Sequence, residues 1–200
     1  MTDPGAGAAC AFQETVAALA ETRPRQEVRL SPLPPPRRLA PFAYAVEASV
    51  IAEDDDEEEE LADGRFVLLH DPDGQQEWRG KYRVVTLTRA ELEPEVGTDP
   101  LLPEVAWTWL TEALDSRGLT RVEQCGTVTR AGSYFFGGLA ERPPRTELEL
   151  RASWTPVQRT DVPGHLLAWC GLLAQCAGLP PESSSPAVSL FPRRRGPRLA

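Results

Sequence analysis

"RTELELRASWTP", residues 145–156, decides how the rest of the chain is read. In an extended backbone Leu148, Leu150, Ala152 and Trp154 point one way, and Glu147, Glu149 and Arg151 point the other. A period of two with one apolar face marks a strand lying on a core with its far side toward water. That alternation belongs to antiparallel sheets, because strands of parallel sheets are covered on both faces and read as unbroken apolar runs.

Working outward, similar segments appear. "FAYAVEASVIA", 42–52, sets Tyr44, Val46, Ala48 and Val50 against Ala45, Glu47 and Ser49. "DGRFVLLHDPDG", 63–74, reads as a strand ending in an Asp-Pro-Asp-Gly turn. "KYRVVTLTRAEL", 81–92, is rich in β-branched residues, and "TRVEQCGTVTRA", 120–131, supplies a further strand. Five prolines in "QEVRLSPLPPPRRLAP", 26–41, preclude helix there, and Glu27–Leu30 is the candidate for a short extra edge strand.

Three helices complete the pattern. "CAFQETVAALAET", 10–22, carries Phe12, Val16, Leu19 and Ala20 at helical spacing. "DPLLPEVAWTWLTEALDSRGL", 99–119, has Pro103 and Glu104 suited to a helix start, Gly118 suited to its end, and a stripe of Ala106, Trp109, Leu110, Ala113 and Leu114. "DVPGHLLAWCGLLAQCAGLP", 161–180, has Asp161 at the N-cap and Gly178 past the end, and is apolar nearly all round. The order α-βββ-α-ββ-α predicts an α+β fold: an antiparallel sheet of five or six strands with helices packed on it. One domain over residues 10–180 is expected, with an acidic loop inserted at 53–62, a flexible N-terminus at 1–9 and a disordered Pro/Arg-rich tail at 181–200.

The formal charge of −9 comes almost entirely from one place, the eight acids "EDDDEEEE" at 53–60, so the remainder is near neutral. Lys81 is the only lysine. The start "MTDPGAGAACAFQ" lacks the basic, apolar makeup of a signal peptide, and no run approaches the ~18 apolar residues of a membrane span. These features predict a cytoplasmic protein with no membrane partner. Cys10, Cys125, Cys170 and Cys176 show no metal-ligand spacing, which predicts reduced thiols and no metal.

Catalytic patterns are missing in the same way. His70 and His165 are the only histidines, and neither accompanies a nucleophile elbow; "FFGGLAER", 135–142, has two glycines but no phosphate-binding loop. No catalytic residue and no cofactor is therefore assigned. A carboxylate site is the enzyme alternative: in "RAELEPE", Glu91, Glu93 and Glu95 share a face if the strand continues, and His70-Asp71 closes the neighbouring strand. The other candidate is "GTVTRAGSYFFGGLAER", 126–142, where Arg130 and Arg142 flank Tyr134, Phe135 and Phe136 in the manner of a base-stacking platform. Near-neutral composition speaks against nucleic acid. Alternation further predicts Tyr134 and Phe136 on one face, Phe135 on the other, and at least one ring in the core.

Several separated phrases agree in order with one family: "RLAPFAYAVEA", "LADGRFVLLHDP", "RAELEPE", "DPLLPEVAWTWL", "GTVTRAGSYFFGGLAER" and "LRASWTP". On these the chain resembles the actinobacterial domain-of-unknown-function family numbered 3000, over most of residues 10–180. The resemblance implies a bacterial cytoplasmic protein with no assigned activity. Element order is also similar to that of type III secretion chaperones, whose α+β units often pair into dimers; a shared order does not fix function. The functional expectation is a non-enzymatic adaptor or chaperone-like domain that binds a protein partner, with a homodimer through the apolar 161–177 helix.

Overall fold

Every strand pairing is antiparallel, and the six strands lie in the order β1-β2-β3-β4-β6-β5. The structure is a computed structural model that describes residues 4–54 and 57–180. Along the chain the elements are α1 (Pro4–Ala20), β1 (Val28–Leu33), β2 (Phe42–Asp54), β3 (Glu57–Gln75), β4 (Gly80–Leu92), α2 (Pro94–Gly97), α3 (Leu102–Asp115), β5 (Arg121–Ser133), β6 (Arg145–Pro156) and α4 (Val162–Cys176). The α+β class and the antiparallel sheet agree with the alternation in the sequence, and the short edge strand exists as β1.

The alternation also sorts the faces. Val46, Ala48, Val50, Phe66, Leu68, Val84, Leu148, Leu150 and Trp154 are buried under a helical layer of α1, α3 and α4. The opposite face, with Glu47, Asp63, Arg65, Arg89, Glu149 and Arg151, carries no helix. Ion pairs cross it instead: Arg65–Glu47 at 3.6 Å, Arg89–Glu149 at 3.1 Å and Arg151–Glu149 at 2.8 Å.

At the centre of the core, α4 lies over the middle strands. Trp169 stacks against Phe66 with ring centroids 5.9 Å apart and donates its indole N–H to Thr88 Oγ1 at 3.0 Å. It stands over Gly64, where a Cβ would come within 2.7 Å of Trp169 Cζ2 and would run into the Leu87 carbonyl oxygen. Leu166, Trp169, Leu172 and Leu173 are all fully enclosed. Most of the apolar circumference of α4 is thus covered by its own sheet, α1 and α3, while Leu167 stays half-buried and Gly171 exposed.

Three local expectations are corrected. First, residues 4–9 are not a loose N-terminus: α1 begins at Pro4, a residue suited to a first helical turn, and alanines follow it. Second, the acidic segment is not a loop where it is described. Glu53 pairs with Glu58 and Asp54 with Glu57, so β2 and β3 run on as a two-stranded ribbon whose backbone hydrogen bonds are indifferent to side-chain charge. Third, the β3–β4 turn sits at Gln76–Arg79, and the Asp-Pro-Asp-Gly segment forms an irregularity before it. There Asp71 accepts from the Asp73 N–H at 3.1 Å, and Gly74 takes a φ of +78°. The expected disordered tail at 181–200 lies outside the described residues.

Candidate functional site

The three aromatics of "GTVTRAGSYFFGGLAER" follow the last paired residue of β5. Ser133 pairs with Arg145, and the connection between them holds Tyr134, Phe135 and Phe136 before a single 3-10 turn at Gly137–Leu139. Gly137 supplies the positive φ, +60°, that the turn needs. Tyr134 is 71% exposed and Phe136 81%, with Leu139 beside them at 46%. Gly132 lets the Tyr134 ring fold back over the strand, since a Cβ there would lie 3.3 Å from Tyr134 Cε2. No ring enters the core, contrary to expectation. Tyr134 and Phe136 lie past the last paired residue of β5, on the connection to β6, and not on the strand itself.

The two flanking arginines differ. Arg130 turns toward the helical side and donates to the carbonyls of Gly97 at 3.2 Å and Asp99 at 2.9 Å, pinning the α2–α3 loop. Its guanidinium is therefore a structural tie, not a free cation beside the rings. Arg142 is exposed, and its backbone N–H closes the turn onto the Leu139 carbonyl at 3.0 Å.

Phe135 points the other way, toward the uncovered face of the sheet, and forms one wall of a groove of about 400 Å³. Across from it the groove is lined by Glu60 and Asp63 of β3, Arg89 and Glu91 of β4, and Arg145 and Glu147 of β6. Strand register places them together: Asp63 is opposite Arg89, and Glu91 opposite Glu147. Both cations are engaged, Arg89 with Glu149 at 3.1 Å and Arg145 with Glu91 at 3.4 Å. Four carboxylates thus face two already paired guanidiniums. Burial pushes the Asp63 carboxyl above its usual range, and the nearby Glu60, Glu47 and Glu147 add to this against the pull of Arg89. At Glu149 burial also pushes upward, but hydrogen bonds from Arg89 and Arg151 outweigh it and hold the carboxyl low. A net-negative groove with an aromatic wall is suited to a guanidinium or ammonium group.

The carboxylate constellation expected from "RAELEPE" does not assemble. β4 stops at Leu92, Glu93 occupies the N-cap of α2 and Glu95 lies inside that short helix, because Pro94 cannot continue the strand. His70 is at the wrong end of the sheet. It pairs with Tyr82, eight residues along β4 from Ala90, a separation of about 26 Å at strand rise. There it is buried, donates from Nδ1 to the Lys81 carbonyl at 3.0 Å, and stacks on Tyr82 at 4.2 Å between Phe12 and Phe42.

Two buried polar groups lie away from the groove. Arg83 lies on the uncovered face yet is enclosed; it donates to Glu123 O at 2.8 Å, Ser153 Oγ at 2.7 Å, Thr155 Oγ1 at 3.3 Å and Cys125 Sγ at 3.4 Å. It thereby holds the irregularity between Val122 and Cys125, where Glu123 adopts a φ of +51°. His165 is fully buried under Trp154, whose indole N–H donates to Nδ1 at 3.1 Å. The proton of the neutral ring therefore sits on Nε2, which has no partner among the described residues, and burial pushes the imidazole pKa down to about 4. Among the described residues no three His, Cys, Asp or Glu side chains gather as metal ligands, and no helix is long and apolar enough to cross a membrane.

Comparison with known proteins gives one relationship. No curated protein and no solved structure matches the chain. The profile of a family described as "Protein of unknown function (DUF3000)" matches residues 8–185, which takes in every element from α1 to α4. On that match the chain belongs to the DUF3000 family.

Proposed function

We propose that this is a non-enzymatic protein-binding domain, adaptor-like or chaperone-like, acting in an actinobacterial cytoplasm. Its contact surface is the tip of the β5–β6 hairpin together with the groove behind Phe135. The observation that carries the reading is the display of Tyr134 and Phe136, at 71% and 81% exposure, beside a groove rich in carboxylates. Exposed aromatics are the side chains that most often anchor protein interfaces. Charge complementarity sets the partner's chemistry: an extended segment with Arg or Lys for the groove and an apolar residue for the tip. The same carboxylates repel phosphate, and Arg130 is committed to the α2–α3 loop, so a nucleic-acid strand has no cationic track here.

The test is a peptide-display selection on the full chain, repeated with Tyr134→Ser/Phe136→Ser. Enriched peptides should combine a basic and an apolar residue and should lose at least tenfold in affinity on the double variant. Peptides that bind both proteins equally, or single-stranded DNA that binds more tightly than any peptide, would overturn the reading.

A further inference from the structure

We propose that residues 192–198 of this same chain, "PRRRGPR", dock in the groove between Asp63 and Phe135 and occupy the protein-binding site in cis. The inference rests on the reading above, that the groove takes basic extended segments, and adds its resident occupant. Four arginines fall within those seven residues, the densest basic cluster in the sequence. The groove offers four carboxylates against two paired guanidiniums, so cation and cavity match in sign.

The exit point of the chain supports delivery to this site. After α4, Gly178 turns the backbone with a φ of +76° and the Leu179 N–H closes onto the Ala174 carbonyl at 3.0 Å. The next residue, Pro180, accepts a hydrogen bond from Arg25 Nη1 at 2.8 Å. Two residues past Arg25, the Glu27 carbonyl accepts from the Ile51 N–H at 3.0 Å. Pro180 is thus held at the end of the sheet where Val28, Val50, Ala62 and Ala90 line up across β1 to β4. Asp63 and Arg89 of the groove are the next residues along those strands.

Length is adequate. The groove lies two to three strands from β1 and on the opposite face, a path of about 25 Å from inter-strand and inter-layer spacings. The eleven intervening residues, 181–191, contain two prolines and three consecutive serines and span about 34 Å if extended as polyproline II. Glu53, Asp54 and Glu57–Glu60 belong to the ribbon that leaves the same end of the sheet, and the field of these acids draws the arginines toward it. The family profile ends at residue 185, before the arginines, so the segment is an addition to the shared domain.

The experiment uses a labelled peptide of residues 187–198 titrated into the full chain and into full-length Arg193→Ser/Arg194→Ser/Arg195→Ser. With a tethered effective concentration of about 1 mM and an intrinsic Kd of about 100 μM, the tail fills the groove about nine-tenths of the time. The peptide should therefore bind the triple variant about tenfold more tightly than the unmodified chain. Adding Asp63→Asn/Glu147→Gln to the triple variant should abolish that binding. Equal affinity for both chains overturns the resident tail while leaving the groove as a site for basic segments. Failure to bind either chain overturns both readings. Binding that survives the Asp63/Glu147 substitutions places the arginines elsewhere and sinks the proposal. A particle mass that rises with concentration, and ceases to rise in the triple variant, also overturns it, because the tail would then act between copies.

Discussion

Lowering the pH from 7.5 to 5.0 should destabilise this protein by an amount set mainly by His165. Its ring is fully buried, Nδ1 is occupied by the Trp154 indole, and burial brings the folded pKa to about 4 from an unfolded 6.5. The unfolded chain therefore binds the proton first as pH falls. Stability is complete above pH 6.5, declines between 6.5 and about 4, and levels off below, with a total loss of about 3 kcal/mol. At pH 5.0 the loss should be about 2 kcal/mol. His70 acts in the same direction, since burial lowers its pKa as well, and these are the only histidines in the chain. Asp63 works against them, because its raised pKa means the folded state gains a proton first. Urea unfolding followed by tryptophan fluorescence at several pH values measures the slope. His165→Gln keeps an acceptor for Trp154 and removes the titration, so most of the slope should disappear. A slope that is flat within about 0.5 kcal/mol, or one that survives unchanged in His165→Gln, would refute the reasoning.

Three other substitutions probe the remaining architecture. Gly64→Ala should cost about 2 kcal/mol, because the new methyl meets the Leu87 carbonyl and Trp169 and only part of that overpacking is returned by the stiffer unfolded chain; a thermal melt reads it. Arg83→Met leaves the Glu123 carbonyl and the Ser153 hydroxyl without their donor, and should lower stability by about 2 kcal/mol while raising amide exchange from Glu123 to Val128. Tyr134→Ser/Phe136→Ser should change stability by less than about 0.5 kcal/mol, since both rings are exposed, so any loss of peptide binding reports the interface and not the fold.

The sheet was legible because its strands alternate so cleanly. Leu148, Leu150, Ala152 and Trp154 announce a buried face, and their partners Thr88, Thr86 and Val84 complete it. Helix punctuation was equally readable: Gly118 and Gly178 both take the positive φ that ends a helix. What stayed hidden depends on neighbours distant in sequence. Asp63 and Arg89 look like ordinary outward residues of two strands, and only register sets them opposite each other beside Glu147. Arg83 reads as a solvent-facing arginine, yet an irregular stretch of β5 folds over it. Alternation puts at least one of Tyr134, Phe135 and Phe136 in the core, but all three fall past the last paired residue of β5, on the connection to β6. The apolar surplus of α4 was visible; what covers most of it was not, since that depends on how the helix packs on the sheet and on α1 and α3.

The strand order carries a consequence for synthesis. β5 is made before β6, but β6 is its only neighbour in the sheet, so β5 has nothing to pair with when it first emerges. The helix that covers the central strands, α4, is made after all six of them. Until residue 176 has been added, Phe66, Leu68, Leu148 and Leu150 lack the part of their cover that α4 supplies. Assembly of this domain is therefore a late, single event in the life of the nascent chain, and a chain that stops before α4 should be a client of the cell's holding chaperones and proteases.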